Sequence, residues 1–310
     1  MVSELPREVD HVNAYFLLML LLAGSWTQVG EQGSPLDTIC SPTNESATIS
    51  TPIDTKSIHY TNKALFLTYH HLDDQESFIT ITPNKFKQHL LALKEKHYNV
   101  ISIEDYACFH AQRKTLPPNA VVITFDDGYR SFYEKAYPLL KQMGYPATNF
   151  VIVSDVDSDN PSLPFLTWSQ ILEMKRDGFS FYSHTYDLHH KMSDEAGNLV
   201  PPLTNRIFLP KEKRMELEEE RRQRVRADLQ LGEAFLKTKL HNQLSFLCFP
   251  LGEYNQTVIE EAKQLGFSLF FTTREGINTG RSEEITRISV GMPYVSTDVF
   301  LKKLQQYDQK

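Results

Sequence analysis

Cysteine is scarce in this chain of 310 residues. Cys40, Cys108 and Cys248 are widely spaced and odd in number, so they are expected to form neither a CxxC metal site nor a disulfide framework. Cys108 and Cys248 lie among apolar neighbours and read as core residues, which leaves the redox compartment undecided. A basic block is missing too. The net charge is -7, and the one dense charge run, Lys211 to Arg226, mixes both signs as an exposed helix face does, which argues against nucleic acid as the main partner. No Gly-rich phosphate loop follows any apolar run, so a doubly wound open sheet is only the runner-up fold. The N-terminal run AYFLLMLLLAG (Ala14–Gly24) is too short for a comfortable transmembrane helix and matches a signal-peptide core in length. Its flank is poor, with one Arg against three acidic residues in Met1–Asn13, and no A-x-A site follows. Residues 1–30 are expected to serve as a signal or anchor, placing the protein in secreted, cell-surface or membrane-anchored form. A short apolar helix packed on the domain is the alternative.

What is present is a sizeable core, with 41% apolar and 11% aromatic residues. Residues 31–61 are rich in Ser, Thr, Pro, Asp and Asn and read as a polar linker, leaving 62–310 as the folded domain. There, short apolar strands alternate with amphipathic helices. ALFLTYH (64–70), NVISI, AVVITF (120–125), ATNFVIV (147–153), FSFYSH (179–184), LSFLCF (244–249), SLFFTT (268–273) and EITRISV read as strands. Helices are expected over 83–96, 104–112, 131–143, 167–177, 212–240 and 256–265, and from Thr297. Seven or so β/α repeats over about 250 residues predict an α/β fold, a distorted or incomplete (β/α) barrel.

Functional residues of such barrels sit where strands end. The first strand ends in Tyr69-His70-His71, the third in Asp126-Asp127-Gly128, the fifth in Ser183-His184-Thr185, and a later one in Phe249-Pro250-Leu251-Gly252. Metal-competent side chains therefore recur on one rim. His184 and His189 are five apart, which is not one helix face, yet a strand end and a turn can bring both rings to one point. A carboxylate with two histidines and open positions suits zinc or a similar divalent ion. Such an ion polarises a carbonyl and lowers the pKa of water, as hydrolysis needs. Gly128 suits a tight turn that aims both carboxylates inward. Alone, a DDG after a strand is often only a turn.

ITFDDGY, SHTYDLHH and FPLGEYN resemble the first three motifs of the NodB-like polysaccharide deacetylases, carbohydrate esterase family four, over roughly Leu65 to Tyr307. The resemblance implies a NodB-like distorted barrel and metal-dependent removal of N-acetyl groups from amino sugars. It makes Asp126 the base and Asp127, His184 and His189 the ligands of a divalent metal, zinc first, with nickel, cobalt or iron as alternatives. Trp168, Pro250, Leu251 and Tyr254 would line the substrate groove, with the Leu251 N–H facing the oxyanion; turn and core packing is an equal reading of these four. The late Leu-x-His motif is absent, since no His follows His241, and the third motif lacks its frequent Arg. LTYHHL resembles the branch acting on poly-β-1,6-N-acetylglucosamine, a biofilm exopolysaccharide, and points to His70 as the acid, with His71 the alternative. The implied partner is that polysaccharide, with peptidoglycan or chitin-like chains as rival substrates, and the implied state is a monomer. A different amidohydrolase and a non-catalytic carbohydrate-binding relic are the other readings.

Overall fold

The run AVVITF is apolar on both faces and needs cover on both. In the computed structural model, which describes Leu36, Ile39, Cys40 and residues 58–308, it lies in a parallel sheet curled into an incomplete barrel with helices outside. The strands are β1 (Ala64–Tyr69), β2 (Asn99–Val100), β3 (Ala120–Asp127), β4 (Thr148–Val151), β5 (Ser180–Ser183), β6 (Phe246–Cys248), β7 (Leu269–Phe271), β8 (Glu284–Ile285) and β9 (Ile288–Ser289). From edge to edge the order is β8, β7, β6, β5, β4, β3, β1, β9, with β2 beside the start of β3. Only Thr286 and Arg287 separate β8 from β9. That one segment pairs with β7 at Ile285 and with β1 at Ile288, drawing the two ends of the sheet together.

Helices α1 (Pro83–Glu95), α2 (Ile103–His110), α3 (Tyr137–Met143), α4 (Trp168–Arg176), α5 (Glu218–Leu240), α6 (Gln256–Gln264) and α7 (Thr297–Gln305) complete the repeats. Several begin at side-chain caps that satisfy otherwise orphaned N–H groups: Thr82, Ser102, Asn255, Ser296, and Thr167 in a full capping box with Gln170. Strand residues alternate between two cores. Leu65, Leu67, Val121 and Ile123 pack outward with Leu90, Leu140, Ile171 and Phe300 of the helices. Ala64, Phe66, Val122, Phe150, Phe246 and Phe271 fill the inside of the curl. Each such buried Val, Leu, Ile or Phe is worth about 1.5–3 kcal/mol over its exposed state.

The structure departs from the sequence reading in three places. The helix expected from 131 starts as a π-helical turn, Phe132–Ala136, and becomes α-helical at Tyr137; Pro138 has no N–H to continue a regular ladder from the preceding turn. The helix expected from 212 starts only at Glu218, because Arg214–Met215 pairs with Phe208–Leu209 as a hairpin. Glu220 stabilises that junction by accepting from the Leu217 N–H and from both terminal nitrogens of Arg214. The third departure concerns cysteine. Cys40 and Cys108 form a disulfide across 68 residues, whereas the sequence reading had neither one paired. Leu36 and Ile39 pack on the inner core beside it, so part of the expected linker is tied to the domain. The apolar segment expected for export lies outside the described residues.

Candidate active site

β3 ends at Asp126 and Asp127, both 3% exposed. Alternation along a strand should send neighbouring side chains to opposite faces. Here Asp127 leaves the β region at φ +74° and Gly128 follows at φ +85°, which turns the second carboxylate toward the same rim. The positive φ favours glycine at 128, and an added Cβ would also press on the Val151 side chain at 3.1 Å. Two further rim turns hold non-glycine residues in the left-handed region, Thr185 (φ +71°) and Leu251 (φ +57°). Each costs of order 1–3 kcal/mol and persists only where surrounding contacts enforce it, as at functional sites.

The expected metal set comes together. His184 Nε2 and His189 Nε2 each lie 3.3 Å from Asp127 Oδ1. The Cys248 carbonyl, which can only accept, lies 2.9 Å from His184 Nδ1. Nδ1 therefore carries the proton and Nε2 presents its lone pair inward. Asp127 Oδ1 is buried without a hydrogen-bond partner, a cost that a cation at this point removes. One carboxylate oxygen and two imidazole nitrogens within 4.8 Å of one another fit a divalent ion. Asp126, His184 and Cys248 form a second metal-competent group, but its carboxylate is already neutralised.

The neutralising group is Arg287, from the break between β8 and β9, 1% exposed. Its Nη1 and Nη2 donate to Asp126 Oδ1 and Oδ2 at 2.7 and 2.8 Å, a bidentate pair. Nε donates to the Thr272 carbonyl (3.0 Å), Nη2 meets Cys248 Sγ (3.1 Å), and the guanidinium lies over the Phe150 ring. Burial would raise the Asp126 carboxyl, yet Arg287, helped by His184 and His70, keeps it below its ordinary value. Burial pushes the Cys248 thiol up, so it stays protonated and donates to Asp126 Oδ2 at 3.6 Å. Sequence reading missed Arg287. Its one signal was a lone cation interrupting the apolar run EITRISV, where a buried charge needs a buried partner.

His70 Nε2 stands 3.9 Å from Asp126 Oδ2, on the same rim. His71 does not join it: its Nδ1 lies 3.2 Å from Thr80 Oγ1 and its ring meets the Tyr129 edge. Pro250 is buried in a short 3-10 turn, and the Leu251 N–H precedes the first hydrogen bond of that turn, from Gly252 N–H to the Phe249 carbonyl. Leu251 is 45% exposed. Tyr254 stacks on Phe249 at 4.4 Å and donates to Glu284 Oε2, so it borders the same turn as packing. Trp168 is not brought to the cluster. Its ring packs on the outer core, with Lys239 Nζ 6.0 Å from its centroid.

The sequence pattern of the family described as polysaccharide deacetylase matches residues 113–270, from before β3 to β7. The chain belongs to the polysaccharide deacetylase family. It is similar to the poly-beta-1,6-N-acetyl-D-glucosamine N-deacetylase of Escherichia coli (strain K12), 30% identical over 246 residues, which is 74% of this chain. The chain spans 37% of the length of that relative. Two solved structures share the deacetylase fold. A de-N-acetylase from Aggregatibacter actinomycetemcomitans is 26% identical with a TM-score of 0.70, covering 79% of this chain and 99% of that one. IcaB from Ammonifex degensii is 29% identical with a TM-score of 0.66, covering 78% and 97%. The parallel half-barrel with flanking helices is thus the fold of this deacetylase family, as the motifs implied.

Proposed function

We propose that this deacetylase-family chain hydrolyses N-acetyl groups of an N-acetylglucosamine-containing surface polysaccharide, poly-β-1,6-N-acetylglucosamine first. The observation that carries the reading is the rim itself. Asp126, held ionised by a buried arginine, adjoins Asp127, His184 and His189, with His70 opposite. The similarity to the Escherichia coli N-deacetylase supports the choice of polymer.

Asp127, His184 and His189 would hold a divalent cation, zinc being our choice for an oxygen-and-imidazole set. When bound, such an ion supplies Lewis acidity, polarising the acetamide carbonyl and acidifying water. Asp126 is the base: its carboxylate is charged at neutral pH, and Arg287 fixes the plane in which its free lone pairs point. It takes a proton from the water that attacks the acetyl carbon. The Leu251 N–H is offered to the oxyanion that forms. His70, whose Nε2 stands 3.9 Å from Asp126 Oδ2, gives a proton to the sugar nitrogen as the C–N bond breaks, leaving acetate and a free amine. The Cys40–Cys108 disulfide supports maturation in an oxidising compartment and therefore export; among the described residues no helix is long and apolar enough to cross a membrane.

Asp126→Asn is expected to lose acetate release while retaining bound zinc, measured by metal analysis. His70→Gln should fall by about 10²–10⁴-fold, and His71→Gln should stay within a few-fold. Near-wild-type release by Asp126→Asn would remove the base assignment.

A further inference from the structure

The turn that carries His189 is gripped by groups the chemistry above does not use. His184 is fixed at the end of β5, but His189 is placed only through Thr185–Leu188, so the backbone path of that turn decides whether the two rings converge. Two consecutive N–H groups of the turn point at helix α5. Tyr186 N–H donates to Asp228 Oδ1 and Asp187 N–H to Asp228 Oδ2, each at 2.9 Å. Asp228 is 2% exposed, and burial pushes its carboxyl up to about 7 against the pull of those two donors. A buried acid with that history weakens the fold, where an apolar residue would serve the helix better.

Gly232, one turn further along α5, is a second and independent sign. A Cβ there would stand 3.1 Å from Tyr186 N and 3.4 Å from both the Thr185 carbonyl carbon and Tyr186 Cα. These are backbone atoms, which cannot swing aside as a side-chain end can. Glycine in mid-helix, unfavourable in itself, lets α5 lie directly on the turn. The opposite side is held from the end of β4. Val153 N–H donates to the Thr185 carbonyl (3.2 Å), Ser154 N–H to the Tyr186 carbonyl (2.9 Å), and Ser154 Oγ to Asp187 Oδ1 (3.0 Å). A left-handed Thr185 is kept in place by contacts on both sides.

We infer that Asp228 and Gly232 are positioning residues: through the Tyr186–Asp187 backbone they set the reach of His189 toward Asp127 and His184, and so the affinity for the cation. This rests on the reading of those three as ligands. Groups that orient metal ligands from behind typically govern affinity by about 10–100-fold.

The test uses purified full-length protein, stripped of metal, and zinc in competition with a chromogenic chelator. Asp228→Asn keeps the shape of the side chain but turns an NH₂ against one of the N–H donors. It is expected to bind zinc about 10–100-fold more weakly at a far-UV circular dichroism unchanged from wild type. Gly232→Ala should weaken zinc in the same direction. A merely structural Asp228 would shift the thermal midpoint of the metal-free protein and leave the zinc constant where it is. Wild-type zinc affinity in folded Asp228→Asn overturns the inference alone, whereas a wild type that binds no zinc overturns it together with the ligand reading. Should Asp228→Asn fail to fold, Gly232→Ala carries the titration, with weakened zinc supporting the inference and unchanged zinc overturning it.

Discussion

Arg287 and Asp126 are each buried to a depth where neither charge survives alone. Removing one partner of such a pair leaves an uncompensated charge and typically costs about 3–5 kcal/mol. Arg287→Met is therefore expected to lower the urea-unfolding free energy by that amount. The same change should lower acetate release by at least about 10²-fold, because Asp126, the proposed base, then loses the donors that orient it. Activity within a few-fold of wild type would contradict the pairing. Asp126, Asp127, His70 and His184 were legible in the sequence, because they end a strand or directly follow one and strand ends share one face of a barrel, and His189 because it lies one turn beyond such an end. Arg287 was not, since its partner lies 161 residues earlier and only the closing of the sheet brings them together. Cys248 shows the same limit. Its apolar neighbours correctly marked it as buried, but nothing in LSFLCF announces a thiol between a carboxylate and a guanidinium.

Elements are held in register by polar groups as well as by apolar packing. On α1, fully buried His89 stacks on Phe300 of α7 at 4.3 Å and bridges the Val295 carbonyl and the Tyr69 hydroxyl. Burial lowers its pKa to about 4, opposed only in part by the Val295 carbonyl. Between pH 6.5 and 4 the unfolded chain therefore binds a proton at His89 that the native chain does not. Stability from this residue is complete above pH 6.5 and is lost as pH falls toward 4, by about 3 kcal/mol in all. Urea titrations at pH 7 and pH 4 should show a drop that His89→Gln reduces by roughly that amount; equal drops in both proteins would contradict it. Periodicity read the β/α alternation well, because the strands are apolar on both faces and the helices on one. It failed at Phe132–Ala136 and at Arg214–Met215. At the first, a proline reshapes the ladder. At the second, one glutamate holds both hairpin and helix start, a tertiary choice that helix-forming composition does not reveal.

At the scale of the molecule, the disulfide closes a 68-residue separation that spans β1, α1 and β2. Constraining an unfolded loop of that size is worth about 2–4 kcal/mol. Cys40→Ser is expected to lose that much stability under oxidising conditions and nothing when reductant is present, measured by urea unfolding with and without dithiothreitol. Equal stability with and without reductant in the wild type would argue against the bond. Its invisibility in the sequence has a plain cause: Cys40 sits in a stretch of linker-like composition, and pairing depends on where that stretch docks. In the proposed reaction Asp126, Asp127, His184, His189 and His70 act together. The most direct measurement is acetate release by the purified protein on poly-β-1,6-N-acetylglucosamine, with peptidoglycan and chitin oligomers alongside, before and after chelation and after zinc is restored. The expected result is release matched by new free amines on the β-1,6 polymer, lost with chelator and regained with zinc. Zinc bound at full occupancy with no acetate released from any of the three polymers would contradict the account.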